Sequence, residues 1–182
     1  MKNQLPQRRN IRLSPEAYTG RVLHIIICTR KRTPLFANED IAYSVKQQIL
    51  DLSHLKKVKI YAYVIMPDHI HLLVSPGEWA KPGDYVRDIK GKLSAFLRKR
   101  FNVRNIWQKG FYDHVMRKDE DLNSTAEYIL NNPVRSGRAD NWQNYPWCGS
   151  DVFEESGEVN SPLRANRARP CEGIGRGKLA PT

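Results

Sequence analysis

Hydrophobic and polar positions change period along the chain and predict seven elements. Val22 to Thr29 is a β-branched apolar run, the pattern of a buried strand spanning Arg21 to Thr29. Ile41, Val45, Ile49 and Leu52 recur at helical spacing behind Asn38, a capping residue. Glu39 and Asp40 fall in that helix's first turn, where the dipole favours anions. Val58 to Met66 predicts a second strand, Pro67–Asp68 a tight turn, and His69 to Ser75 a returning third strand closed by Pro76–Gly77. Val86, Ile89, Leu93, Phe96, Leu97 and Phe101 make the apolar stripe of a helix over Asp84 to Phe101. Trp107 to Arg117 predicts a fourth strand, interrupted by Gly110. Asp119 predicts the cap of a third helix with Glu120 and Asp121 in its first turn. That helix must stop by Asn132, because Pro133 cannot continue it and disfavours α geometry one residue earlier.

The order is β-α-β-β-α-β-α, and its first six elements match the split βαβ arrangement of ferredoxin-like domains. The expectation is an α+β fold: an antiparallel sheet with two helices on one face and the other face left for function. Residues 1–19, with Lys2, Arg8, Arg9 and Arg12, predict a basic N-terminal arm, and 20–153 the folded domain. From 154 onward Gly157, Pro162, Pro170, Gly173, Gly175 and Gly177 break any period, and basic residues prevail, so 154–182 predicts a flexible basic tail.

Composition sharpens this picture in three ways. With 182 residues and 40% hydrophobic content the chain can bury one ordinary core. Thirty Lys and Arg against nineteen Asp and Glu leave a formal charge of +11, which attracts polyanions. Nucleic acid is the first candidate and an anionic membrane surface the second. The longest apolar run, Val22 to Cys28, is far short of the ~20 residues a bilayer span needs. No apolar segment follows Met1–Lys2–Asn3–Gln4, so a cytoplasmic protein without a secretory signal is expected. Cys28, Cys148 and Cys171 are an odd set with no CxxC pair, which disfavours a disulfide scaffold and a four-cysteine zinc site.

Two constellations carry candidate chemistry. In Met66–Pro67–Asp68–His69–Ile70–His71–Leu72–Leu73–Val74 the two histidines share one strand face, while Ile70, Leu72 and Val74 point to the other. Imidazoles roughly 7 Å apart along a strand can converge on one metal ion; the plain alternative is that one packs and the other is solvated. In the third helix Leu122, Ala126, Ile129 and Leu130 cluster at 100° per residue. Tyr128 lies well off that stripe, with Asn132 beside it one turn later. Taken alone, Tyr128 reads as an exposed or rim tyrosine. A phenol, a nearby amide oxygen and two histidines on a basic scaffold together suit phosphodiester chemistry. A free phenol ionises only near pH ~10, so its attack at neutral pH costs about 4 kcal/mol. A divalent ion can offset part of that by withdrawing charge from the phosphate.

HIHLLV after MPD, then FYDHVMRKDEDL, AEYILNNPVRSG and YPW resembles the REP-associated tyrosine transposases, which belong to the single-tyrosine HUH transposases. The resemblance runs in consistent order from about Gly20 to Trp147 and implies an HUH endonuclease fold, in which the last helix is catalytic. It implies a metal-dependent endonuclease and strand transferase that cleaves single-stranded DNA beside REP-like palindromic hairpins and forms a 5′-phosphotyrosine intermediate. It implies Tyr128 as nucleophile and His69, His71 and Asn132 as metal ligands. Imidazole ligands by themselves lean towards zinc or other transition metals, whereas the resemblance implies Mg²⁺ or Mn²⁺. Relatives act as monomers or as homodimers that exchange tyrosine helices, and a nucleoid-associated protein is expected. Arg30, Lys31 and Arg32, with Lys90, Lys92, Arg98, Lys99 and Arg100 on the second helix, are candidates for gripping DNA.

Two alternatives stand beside this reading. One is a hairpin DNA- or RNA-binding module without catalysis, and the other a zinc or iron enzyme acting on a small molecule through His69 and His71. His114 reads as a satisfied structural histidine or a second layer behind the pair, His24 as a core or sheet-face histidine, and His54 as surface. Cys28 reads as a buried thiol, and Trp107, Trp142 and Trp147 as packing residues.

Overall fold

The first strand sets the frame. β1 (Leu23–Cys28) buries Leu23, Ile25 and Ile27 on one side and turns His24, Ile26 and Cys28 to the other. The computed structural model describes residues 20–75, 82–117 and 120–153. Asn38 caps α1 (Glu39–Leu55) by accepting a hydrogen bond from the Ile41 amide at 3.0 Å. Its stripe of Ile41, Val45, Ile49 and Leu52 is buried as the spacing predicts. β2 (Lys59–Met66) turns through Pro67–Asp68 into β3 (His69–Ser75). The second helix, α2 (Pro82–Phe101), begins slightly earlier than its apolar pattern suggests and also buries Tyr85, whose hydroxyl meets Ser53 Oγ at 2.7 Å.

The five strands lie antiparallel in the order β4-β1-β3-β2-β5, where β4 is Tyr112–Val115 and β5 is Cys148–Ser150. α1 and α2 cover one face, where Ile25, Ile27, Ile65, Ile70, Leu72 and Val74 meet Val45, Ile49, Ile89 and Leu93. Each such fully buried aliphatic side chain contributes roughly 1.5–3 kcal/mol. A bulge between Ile60 and Ala62 resets the alternation of β2. Tyr63 and Ile65 therefore join the α1/α2 face, and Ala62, Val64 and Met66 face the other way.

The structure departs from the expectations at four points. The fourth strand is only Tyr112–Val115, because Gly110 adopts φ +77° and breaks the ladder; Trp107 keeps a single bridge to Thr29. The third helix, α3 (Leu122–Leu130), is capped by Asp121, which accepts from the Asn123 and Ser124 amides at 3.3 and 2.9 Å. Asp119 lies outside the described residues, and Glu120 sits before the helix rather than in its first turn. Pro133 does end α3, but it also occupies the first turn of a short helix, α4 (Asn132–Arg135), where its missing N–H costs nothing. Finally, the second sheet face is half covered. Ala126, Ile129 and Leu130 of α3 pack on Ala62, Val64, Met66 and Leu73 in a second core.

β5 was not legible as a strand, and the YPW segment before it is what docks it. Tyr145 Oη donates to the Ile65 carbonyl (2.9 Å), Lys46 Nζ to the Pro146 carbonyl (3.2 Å), and the Ile65 amide to the Trp147 carbonyl (2.8 Å). Gly149 then lies against Tyr63: a Cβ there would come within 2.9 Å of its ring and hydroxyl. Because that ring is buried and cannot swing away, Gly149→Ala is expected to cost about 1–3 kcal/mol, read as a shift in the urea unfolding midpoint. The arm 1–19 and the tail 154–182 lie outside the described residues. No described helix is long and apolar enough to cross a membrane.

Candidate functional site

The face of the sheet opposite α1 and α2 carries every histidine of the strands. Antiparallel register sets Cys28 opposite His69, Ile26 opposite His71 and His24 opposite His114. The His69 and His71 rings lie 4.9 Å apart, edge to face. The structure therefore brings the two together as the strand parity predicts.

Their outer nitrogens are already engaged. His69 Nδ1 lies 2.5 Å from Asp68 Oδ1, and Arg32 pairs with the other carboxylate oxygen at 3.5 Å. His71 Nδ1 lies 2.9 Å from His24 Nε2, with the two rings stacked at 5.2 Å. His24 reaches His71 diagonally across the strand pair, a span aromatic side chains can bridge. In both residues Nε2 is the ring nitrogen without one of these partners; a proton on Nδ1, donated to the partner, would give Nε2 the lone pair of a metal-binding imidazole. Burial pushes the His71 imidazole down to about 3, reinforced by the charges of His69, His24, Arg32 and Arg135. Burial, with His114 adding to it, pushes His24 down to about 4. Both rings are neutral at physiological pH, the state in which imidazole coordinates a cation. His114 turns its Nε2 to the Glu120 carboxylate at 2.8 Å, an acid that the hydrogen bond holds below its usual range.

Tyr128 projects from α3, which packs on the same face beside Val64, the register neighbour of His71. Ala126, Ile129 and Leu130 are buried and Tyr128 is 51% exposed, so the ring stands clear of the core as the helical wheel predicts. One residue not anticipated from sequence sits on it: the Arg135 guanidinium lies 4.6 Å from the Tyr128 ring centroid. The charge of the same cation also disfavours protonation of His71, as the smallest of several causes. Asn132 donates both amide hydrogens backward, to the Tyr128 carbonyl at 3.1 Å and the Ile129 carbonyl at 2.9 Å. Its Oδ1 is the atom left with lone pairs to offer.

Among the described residues no three His, Cys, Asp or Glu side chains converge as a metal-binding group. His69 and His71 stand together on the sheet face, and Asn132 stands at the junction of α3 and α4. Cys28, expected to be buried, is half-buried on the His69 side of β1, its thiol pushed up by burial. His54 is exposed on α1 as expected, and Trp107 packs, its indole N–H shared by the Lys90 carbonyl and Ser94 Oγ.

The candidate DNA contacts divide. Arg32 is tied to Asp68, and Lys90 donates to the Gln108 and Gly110 carbonyls, holding the loop before β4. Arg30, Lys31, Lys92, Arg98, Lys99 and Arg100 are exposed. The sequence carried a signal for Asp68, adjacent to the pair, and for His24, whose parity on β1 opposes the buried isoleucines. It carried none for the register that joins His24 to His71.

Comparison with known proteins adds to this geometry. The family model for IS200-like transposases matches residues 17–132. An uncharacterised Haemophilus influenzae protein is 26% identical over 159 residues, covering 70% of this chain and 88% of that one. The REP-associated tyrosine transposase of Escherichia coli is 27% identical over 108 residues, covering 57% of this chain and 61% of that one. A solved REP-associated tyrosine transposase bound to a REP hairpin superposes with a TM-score of 0.62 at 20% identity, over 90% of this chain and 94% of that one. That likeness extends the fold agreement across the described domain.

Proposed function

The chain belongs to the IS200-like transposase family, and from that premise we propose that it cuts and rejoins single-stranded DNA beside hairpins through a covalent bond to Tyr128. The observation that carries this reading is the half-exposed phenol on a helix packed over the strand neighbouring His71, with Arg135 stacked on its ring.

In the proposed step Tyr128 Oη attacks a backbone phosphorus and loses its proton. The P–O3′ bond breaks, and the departing oxygen takes up a proton to become a 3′-hydroxyl. The 5′-phosphate stays on the protein as a phosphotyrosine ester, whose bond energy is kept for rejoining when a new 3′-hydroxyl attacks. Arg135 holds the ring by a cation–π contact and directs its remaining N–H donors towards a phosphate, which a planar guanidinium suits. Asn132 ties the end of α3 to the start of α4 and so fixes the Tyr128 and Arg135 side chains relative to one another.

The donor set fits a divalent cation: His69 and His71 would hold it through Nε2, with Asn132 Oδ1 as third ligand. Two neutral imidazoles and one amide bind weakly and leave positions for water and phosphate oxygen, which suits Mg²⁺ or Mn²⁺. Such a cation, when bound, withdraws charge from the phosphate under attack. His24 acts as a positioning residue for His71. His24→Ala is expected to weaken Mn²⁺ binding about 10- to 100-fold, measured by titration calorimetry of the protein without DNA. An unchanged Mn²⁺ affinity would remove His24 from the site.

The test of the reading is to incubate the protein with a labelled DNA hairpin carrying single-stranded flanks and Mn²⁺, then separate products on a denaturing gel. A covalent protein–DNA adduct is expected. Salt-sensitive binding with no adduct under any metal would instead leave a hairpin-binding module.

A further inference from the structure

The loop after β1 carries a strained pair of residues. Lys31 and Arg32 adopt φ +53° and +56°. Glycine enters that left-handed region freely, whereas a long side chain enters it at a cost. Neither residue is buried, so core packing does not hold them there. Strain of this kind persists where the surrounding contacts over-determine the backbone, and it gathers at functional sites.

Here the contacts converge on one turn. The Thr29 amide donates to the Asp68 carbonyl at 2.9 Å. The Thr29 hydroxyl lies 2.9 Å from that same oxygen and 2.8 Å from the Thr33 carbonyl. The Phe36 amide donates to the Pro67 carbonyl at 2.8 Å. Thr29 and Phe36 are both buried. Residues 29–36 therefore clamp both peptide carbonyls of Pro67–Asp68, the turn that leads into His69.

Between those two anchors the chain reverses, and Arg32 comes to lie on the turn. Its Nη1 is 3.5 Å from Asp68 Oδ2, and Asp68 Oδ1 is 2.5 Å from His69 Nδ1. The Arg32 side chain is 54% exposed, and an ion pair so open to water adds little to stability. Stability therefore explains neither the strain nor the pair. The arrangement does bear on one atom, His69 Nε2. A cation on one carboxylate oxygen leaves the other to accept the Nδ1 proton, and with the proton there the lone pair of the ring is on Nε2.

We propose that Arg32 is a positioning residue of the candidate cation site: the strained loop sets its guanidinium on Asp68, so that Asp68 holds His69 as the Nδ1–H tautomer with Nε2 open. The inference rests on the proposed two-imidazole site and adds what fixes its more exposed half. His71 has His24 for this purpose; His69 has Asp68, steadied by Arg32. The direction of the effect sets this role apart. By charge alone, a guanidinium beside Asp68 would repel a cation at His69, and its removal would tighten metal binding. As a positioning group, its removal weakens that binding.

The experiment measures Mn²⁺ affinity by titration calorimetry, without DNA, for the wild-type protein, Arg32→Gly, Asp68→Ala and the double variant. Glycine takes a positive φ without strain, so Arg32→Gly keeps the loop and is expected to hold or raise the urea unfolding midpoint. It is expected to weaken Mn²⁺ binding about tenfold, a usual loss when a partner behind a metal ligand is removed. Asp68→Ala is expected to weaken it at least as much. Adding Arg32→Gly to Asp68→Ala is expected to change nothing further, because Arg32 acts through Asp68. In the metal-free protein, nitrogen NMR of labelled histidine is expected to show His69 in the Nδ1–H form, with the Nε2–H form appearing in Arg32→Gly. Tighter or unchanged Mn²⁺ binding in Arg32→Gly, a further loss in the double variant, or an unaltered His69 tautomer would each overturn the role of Arg32 while the cation site stands. A wild-type protein that binds no Mn²⁺ would overturn the site itself, and this role with it.

Discussion

Tyr128→Phe is expected to abolish the covalent protein–DNA adduct while the protein folds and binds a hairpin as before. The substitution removes one oxygen atom, and no other atom of the ring changes. Because Tyr128 is 51% exposed and lies off the Ala126–Ile129–Leu130 stripe, the stability change should stay within about 0.5 kcal/mol. Arg135 stacks on the ring face, not on the hydroxyl, so its position survives in phenylalanine. Removing a nucleophile that acts as a unit with its surroundings lowers turnover by a factor on the order of 10⁴ or more. The readouts are adduct on a denaturing gel, affinity for the hairpin and the urea midpoint. A Tyr128→Phe protein that still cleaves would show the nucleophile to be another group. Loss of binding along with cleavage would show the ring to be part of the DNA surface instead.

His71→Ala is the second large effect, and it separates from His69→Ala by stability. His71 is 5% exposed and bonded to His24 at 2.9 Å. Truncating it leaves the His24 nitrogen without its partner inside the sheet face, at a cost of about 1–3 kcal/mol, and opens a void on top of that. His69 is more exposed, at 18% of its side chain, and its partner Asp68 keeps Arg32 and water. Its truncation should cost well under about 1 kcal/mol. Both variants are expected to lose Mn²⁺ binding and adduct formation, and only His71→Ala to show a marked drop in the unfolding midpoint. The same drop in both proteins, or Mn²⁺ binding retained in either, would contradict the two-imidazole site.

Much of the site was legible because strand and helix periods are local properties. His69 and His71 share a face by alternation alone, and Tyr128 leaves the apolar stripe by angle alone. The hairpin through Pro67–Asp68 and the stripe Ile41, Val45, Ile49 and Leu52 fell where the pattern put them. Boundaries were less legible where two residues competed for one role. Asp119 and Asp121 are both good caps, and the one that accepts from the following amides is Asp121. Glu120, between them, is drawn to His114.

β5 escaped because three residues, Cys148–Ser150, carry no period, and only the anchoring of YPW to Ile65 and Lys46 makes them a strand. Arg32 and Lys90 read in sequence as candidates for gripping DNA; in the fold Arg32 pairs with Asp68, and Lys90 clasps the 108–110 loop.

The order of side chains by itself determined the βαββαβ core, the shared face of the two imidazoles and the outward phenol, since each follows from repeat lengths of two or 3.6 residues. Only the folded chain decided which partner each of those groups keeps: His24 for His71, Asp68 for His69, Arg135 for Tyr128. Those pairings depend on strand register and on how one element lies over another. Both are set by long-range packing, which no local window of sequence contains.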